Sequence, residues 1–398
     1  MVHFAARSRA RVSLSSMHAV ATDPVTEVVQ AAQRLLTRRT GASVTLVDPV
    51  DLGGSDRTMV LRVRAEENPF SLPKTMVVKK VLVHPEGAAN GADTTREAFL
   101  RETVSYQFGT ALRPENRPGA ELFAHDVDDG LLVLSDLGSG PTLADVLLRG
   151  DELAAQHGLM AWAQALGRMH SATADGEDDF KALLRRADHQ AWTYPLGSSA
   201  RAAIKHLPQL LATHLGVPTP AAVLDRAART ERLLGPEALR AFSPSDLCPD
   251  NAMITDDGVR FLDFEWGGFR DVTLDAAYAL VPFPACWCIH EVTDAQSEEL
   301  VQAWRAEVVG VWPELADDHV LWPRMLDAQL LWVWLSTYWF MPGAPTRPDP
   351  GGHHPLTYTR SGALQVRWLQ LARAAERAGD EAVASHARVV AHSLHELG

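Results

Sequence analysis

Cysteine is nearly absent from this chain. Only Cys248, Cys286 and Cys288 occur in 398 residues, too few for a disulfide framework, which points to a reducing, cytoplasmic setting. Long apolar runs are missing as well, so no membrane-spanning helix and no membrane partner are expected. No acidic residue precedes Asp23, and residues 1–23 lack the unbroken apolar centre of a secretory signal; they read as a flexible leader. Positive charge is short too: 37 Lys and Arg against 50 Asp and Glu leave a net charge of −13. That balance disfavours a nucleic-acid backbone as partner and suits a cationic small molecule. The run Cys286-Trp-Cys288-Ile-His290 carries zinc-ligating atoms, but no second cysteine pair completes it and its apolar flanks favour packing.

What is present is enough for two lobes with substantial cores. Apolar spacing from Pro24 to Arg39, with Asp23 as cap, predicts a helix. Extended runs follow at Val44–Val47 and Thr58–Arg64, separated by a turn in which Gly53 and Gly54 permit close approach of a ligand. Thr75–Val83 predicts a buried strand holding Lys79 and Lys80. Adjacent strand residues face opposite sides, so one lysine enters a cleft or meets an acid, and the spacing alone leaves both registers open. Residues 84–93 read as a connection and Thr94–Tyr106 as a helix carrying Glu102. Two more strands at Glu121–Asp126 and Gly130–Ser135 run into the polar segment Ser135-Asp136-Leu137-Gly138. Beyond Pro141 helical spacing dominates: Leu143–Leu148, Gly158–His170, Arg201–Leu215, Thr219–Leu234, Glu298–Val311, Leu326–Phe340, Leu364–Ala378 and Glu381–Leu397. Trp332, Trp334 and Trp339 read as core or as the lining of a substrate cavity, and the Pro-, Gly- and His-rich stretch from Pro342 to Thr359 reads as a loop.

The most informative stretch runs from Ser243 to Gly268. Ala252–Ile254 and Val259–Leu262 form a hairpin around Asp256-Asp257-Gly258. Asp246 and Asn251 stand before its first strand and Asp263 after its second, so three oxygen-bearing side chains converge. Such a set suits Mg2+, which takes carboxylate, amide and water oxygens and binds together with substrate phosphates.

Asp246-x4-Asn251, followed by Asp263-Phe264-Glu265, resembles the catalytic and metal-binding segment of the aminoglycoside phosphotransferase and choline-kinase-like families. The resemblance implies an α+β, bilobal protein-kinase-like fold: a mostly antiparallel N-terminal sheet in a nucleotide-binding lobe over residues 24–134, a hinge over 135–140, and a larger, mainly helical catalytic and acceptor-binding lobe over 141–398. It further implies that Asp246 is the catalytic base, that Asn251 and Asp263 hold Mg2+, and that Lys79, paired with Glu102, steadies the phosphates of ATP, with GTP as the other donor. Gly53 and Gly54 would cover the nucleotide, and backbone groups of Ser135, Asp136 and Leu137 would read its base. Asp275 and His170 would support the loop. The acceptor implied is a hydroxyl of a small molecule. Pro244-Ser245 departs from the His-Gly usual before the catalytic Asp, which makes a nucleotide-binding pseudokinase or interaction protein the alternative.

Overall fold

The computed structural model describes residues 23–55, 57–67, 72–82, 91–187, 195–235, 238–285, 290–341 and 359–396. The leader over 1–22, the connection over 84–90, Cys286, Cys288 and the loop over 342–358 lie outside the described residues. Helix α1 (Pro24–Thr40) begins where expected, with the Asp23 carboxylate accepting from Thr26 N, and ends at Gly41 in the left-handed region. Strands β1 (Thr45–Ser55), β2 (Thr58–Glu67), β3 (Thr75–Val81), β4 (Leu122–Asp126) and β5 (Leu131–Ser135) form one antiparallel sheet in the order β1-β2-β3-β5-β4. Helix α2 (Gly91–Ala111) lies between β3 and β4 in sequence and starts three residues before the expected Thr94, so residues 91–93 are helix rather than connection.

Period-two alternation assigns the faces of this sheet. Met76 and Val78 point with Leu61, Val63, Leu131 and Val133 toward the apolar stripe of α1. Leu132 and Leu134 point the other way, into a core shared with Phe99, Val104 and Tyr106 of α2 and with the second lobe. Lys79 therefore leaves β3 on the inner side. Lys80, on the α1 side, donates to the Asp129 carbonyl, and the register left open by the sequence is settled.

The second lobe contains α3 (Leu143–Leu148), α4 (Glu152–Thr173), α5 (Glu177–Ala187), α6 (Pro195–Leu215) and α7 (Ala221–Arg229). Two short ladders follow: β6 (Arg240–Ser243) pairs with β9 (Gly268–Asp271), enclosing the hairpin of β7 (Ala252–Thr255) and β8 (Gly258–Phe261). The chain then forms α8 (Val272–Ala276), α9 (Asp294–Val308), α10 (Asp318–Phe340), α11 (Arg360–Arg377) and α12 (Glu381–Glu396). The observed class is α+β with a larger helical lobe. Among the described residues no helix is long and apolar enough to cross a membrane. Trp332 and Trp334 are buried in the α10 core, so of the three tryptophans weighed as cavity lining only Trp339 is partly exposed.

Helices α4 and α9 approach closely at Gly167, where a Cβ would lie 2.6 Å from Glu307 Cβ and 2.8 Å from the Trp304 carbonyl oxygen. The carbonyl is main chain and cannot swing aside. Gly167→Ala is expected to lower stability, because overpacking costs about 1–3 kcal/mol against a helix-propensity gain of about 1 kcal/mol. A reduced urea midpoint at unchanged slope checks this; a raised midpoint would show that the two helices part freely.

Candidate active site

The β7–β8 hairpin sets the floor of the site. Its register pairs Ala252 with Phe261, and Leu262 N donates to Asn251 O at 2.8 Å, carrying the ladder one pair further. Asn251 is thus held beside Leu262, with Asp263 next along the chain. Asp263 adopts φ 56°, a left-handed conformation that Asp tolerates better than most residues. Ile254 N donates to Pro141 O at 2.9 Å, which ties the hairpin to the segment leaving β5.

The roof comes from the sheet. Lys79 Nζ lies 2.7 Å from Glu102 Oε1 on α2 and 3.0 Å from Asp263 Oδ1 on the floor. Three segments far apart in sequence therefore share one ammonium group. The Glu102 side chain is 3% exposed and that of Asp263 is 41% exposed, so the two carboxylates feel this cation differently. Burial pushes the Glu102 carboxyl up, to about 7; the Lys79 charge opposes that rise and the Asp263 charge adds to it. For Lys79, burial pulls downward, but Glu102 and Asp263 together outweigh it and raise the ammonium's pKa. The lysine stays cationic, and the two acids compete for it.

Between floor and roof lies a cleft of about 660 Å³ whose walls include Gly54, Val60, Lys79, Leu137, Asn251 and Asp263. Ser135 and Asp136 line it too, and Gly54, not Gly53, belongs to the wall. Gly53 and Gly54 both have positive φ, 96° and 145°, and a Cβ on Gly54 would stand 2.2 Å from Thr58 O. The glycines are required by the turn itself. Asp250 and Glu265 add carboxylates to the wall, and burial followed by the Asp263 charge raises the Glu265 pKa.

Two wall residues escaped the sequence reading. Arg62 of β2 reaches Asp136, with Nε 2.8 Å from Oδ2, and also donates to Ser139 Oγ at 3.1 Å. Burial pushes the Asp136 carboxyl up, but hydrogen bonds from Arg62 and Gly138 N hold it below its ordinary value. The Asp136 side chain is thus tied to Arg62 and to Gly138 N. Tyr106, one turn after Glu102, packs on Phe264 with ring centroids 4.8 Å apart, and its hydroxyl lies within electrostatic reach of Asp263. Its i+4 spacing from Glu102 was legible; its reach to a residue 157 positions later in the sequence was not.

Asp246 is not part of the cleft wall. Its Oδ1 accepts from Cys248 N at 3.3 Å, and it lies within electrostatic reach of the Tyr278 hydroxyl. Behind it, wholly buried Asp275 pairs with His170 Nε2 at 3.0 Å and with Arg270.

Asn251 and Asp263 fit a hard cation: both offer oxygen, and Asp263 already accepts a positive charge from Lys79. Among the described residues no three His, Cys, Asp or Glu side chains cluster as a closed metal cage. Two protein oxygens with the remaining positions left to phosphate and water is the way Mg2+ is commonly held.

No protein-family model matches the chain, and no curated protein matches its sequence. Solved structures with a similar course of chain include a choline/ethanolamine kinase family protein from Mesorhizobium loti, at 15% identity and TM-score 0.43, covering 86% of this chain and 92% of that one. Another is a choline kinase from Cryptosporidium parvum, at 11% identity and TM-score 0.47, covering 84% and 91%. A thermostable mutant of aminoglycoside phosphotransferase APH(4)-Ia matches at 14% identity and TM-score 0.40, covering 89% and 98%. Such likenesses assign no chemistry; that follows from the side chains of the cleft.

Removing one member of a buried ion pair strands the other. Lys79→Met is expected to cost roughly 3 kcal/mol of stability, and the double change Lys79→Met/Glu102→Gln to cost less than the single one. A double-mutant cycle by urea unfolding checks this, and strictly additive losses would show that Lys79 and Glu102 are not coupled.

Proposed function

We propose that this chain is a Mg2+-dependent phosphotransferase that moves the terminal phosphoryl group of ATP to a hydroxyl of a small molecule. The observation that carries the reading is the convergence of Lys79, Asn251 and Asp263 on one cleft, with Asp246 on the same loop as Asn251. Phosphoryl transfer needs little covalent help from the protein; alignment and charge neutralisation supply most of the rate. The Asp246 carboxylate orients the acceptor hydroxyl and takes up its proton as the oxygen attacks. Lys79, fixed by Glu102, sets a positive charge against the phosphate oxygens. Asn251 and Asp263 would hold Mg2+, which when bound neutralises charge on the transferring group and the leaving diphosphate. Backbone groups of Ser135, Asp136 and Leu137 would hold the base, with ATP as the first donor to test and GTP as the second.

Ser245 supports competence despite the altered dipeptide. It adopts φ 70°, which glycine adopts freely and serine only at some cost, and its N–H donates to Ser243 Oγ at 2.9 Å. The turn before Asp246 is therefore made with serine. The net charge of −13 favours a cationic acceptor.

The test is a mass-detected screen of hydroxyl compounds, amino alcohols and aminoglycosides among them, with ATP or GTP and Mg2+. One or more phosphorylated products are expected. Asp246→Asn is expected to cut turnover roughly 100-fold or more while leaving Mg–nucleotide affinity nearly unchanged. Full turnover in that variant would remove Asp246 from the chemistry. Nucleotide binding without any product across the panel would favour a nucleotide-binding protein that transfers nothing.

A further inference from the structure

We propose that Arg270 is the positioning residue of the Asp246 loop, holding the Ser245 peptide from behind through an anchored chain of buried side chains. The assignment rests on the reading of Asp246 as the base but concerns a residue that the reading does not use.

The Ser245 peptide is gripped at both ends. Its N–H donates to Ser243 Oγ at 2.9 Å, and the Ser243 hydroxyl helps to hold the Asp275 carboxyl below its ordinary value. Its carbonyl accepts from Arg270 Nη2 and from the Tyr278 hydroxyl, each at 3.4 Å. Arg270 is itself fastened to Asp275 through Nε and Nη2. The Asp275 carboxylate thus holds the jaw that grips the carbonyl and feels the hydroxyl of the other. Pro244 brings no N–H of its own to this turn, so the grip on Ser245 is what fixes the direction in which the chain enters Asp246.

Each group behind Arg270 is fixed in turn. Its guanidinium lies over the Trp332 ring, 5.4 Å from the centroid, and Trp332 Nε1 donates to Leu274 O at 2.6 Å. Trp304 Nε1 can only donate, so His170 Nδ1, 3.0 Å away, must be an acceptor. His170 then presents its proton on Nε2 to Asp275 Oδ2 at 3.0 Å. The tautomer is set by the indole. Trp304 of α9, His170 of α4, Asp275 of α8 and Arg270 of β9 form one line that ends on the Ser245 carbonyl.

A lysine at 270 could neutralise Asp275 but lacks a planar fork able to serve Asp275 and Ser245 O together. The second variant, Arg270→Met/Asp275→Asn, removes both charges and leaves none stranded in the core. Hydrogen–deuterium exchange on the full chain reads the loop directly and needs no turnover. In both Arg270→Lys and the double variant, amides over 245–251 are expected to exchange roughly tenfold faster, with α10 amides unchanged. Turnover is expected to fall roughly 10–100-fold, with nucleotide KM nearly constant. Wild-type exchange over 245–251 in either variant overturns the assignment, and so does faster exchange shared equally by α10, which marks a merely structural role. A loosened loop in a chain that transfers no phosphate would uphold Arg270 and contradict the proposed function instead.

Discussion

The ammonium group of Lys79 touches Glu102 at 2.7 Å and Asp263 at 3.0 Å, and this sharing orders the cleft. It fastens β3, α2 and the end of the β7–β8 hairpin to one point. It also leaves a deficit, since one cation faces two acids while Asp250 and Glu265 stand in the same walls. Among these acids the buried Glu102 relies on the lysine most. The exposed side of Asp263 is where further positive charge would be most easily accepted, because a hard divalent cation would keep part of its water there.

The sheet and the helical lobe make that point rigid in different ways. Alternation along β3 sends Met76 and Val78 into the α1 core, which obliges Lys79 to face inward. Below, the loop that enters Asp246 is short of local support and draws it from the core. Its turn is made by a serine at φ 70°, and the groups that hold this turn come from β6, β9, α4, α8 and α9. Such a loop is positioned by tertiary structure, as a site on a rigid scaffold should be.

Much of this was legible in the chain. The hairpin is local: two short apolar runs around Asp256-Asp257-Gly258 specify it, and β7 and β8 lie where the pattern puts them. The pairing of Lys79 with Glu102 followed from the resemblance rather than from spacing, and the structure brings the two groups together. Long-range order was less readable. β9 begins at Gly268 and pairs with β6, a partner more than twenty residues earlier that local pattern cannot reveal. Nothing in the local sequence distinguishes Arg270 from the other arginines. The apolar run Met76-Val77-Val78 is hydrophobic on both faces, so only the placement of α1 could choose between Lys79 and Lys80.

The central claim is spatial: Asn251, Asp263 and Lys79 surround the phosphates of a magnesium–nucleotide complex, and Asp246 faces the end that reacts. A crystal structure with Mg2+ and a non-hydrolysable ATP analogue tests it most directly. It should show metal–oxygen distances of about 2.0–2.1 Å to Asn251 and Asp263, Lys79 on the phosphates, and the terminal phosphate turned toward Asp246. A nucleotide bound elsewhere, or a metal held without Asn251 and Asp263, would contradict the account.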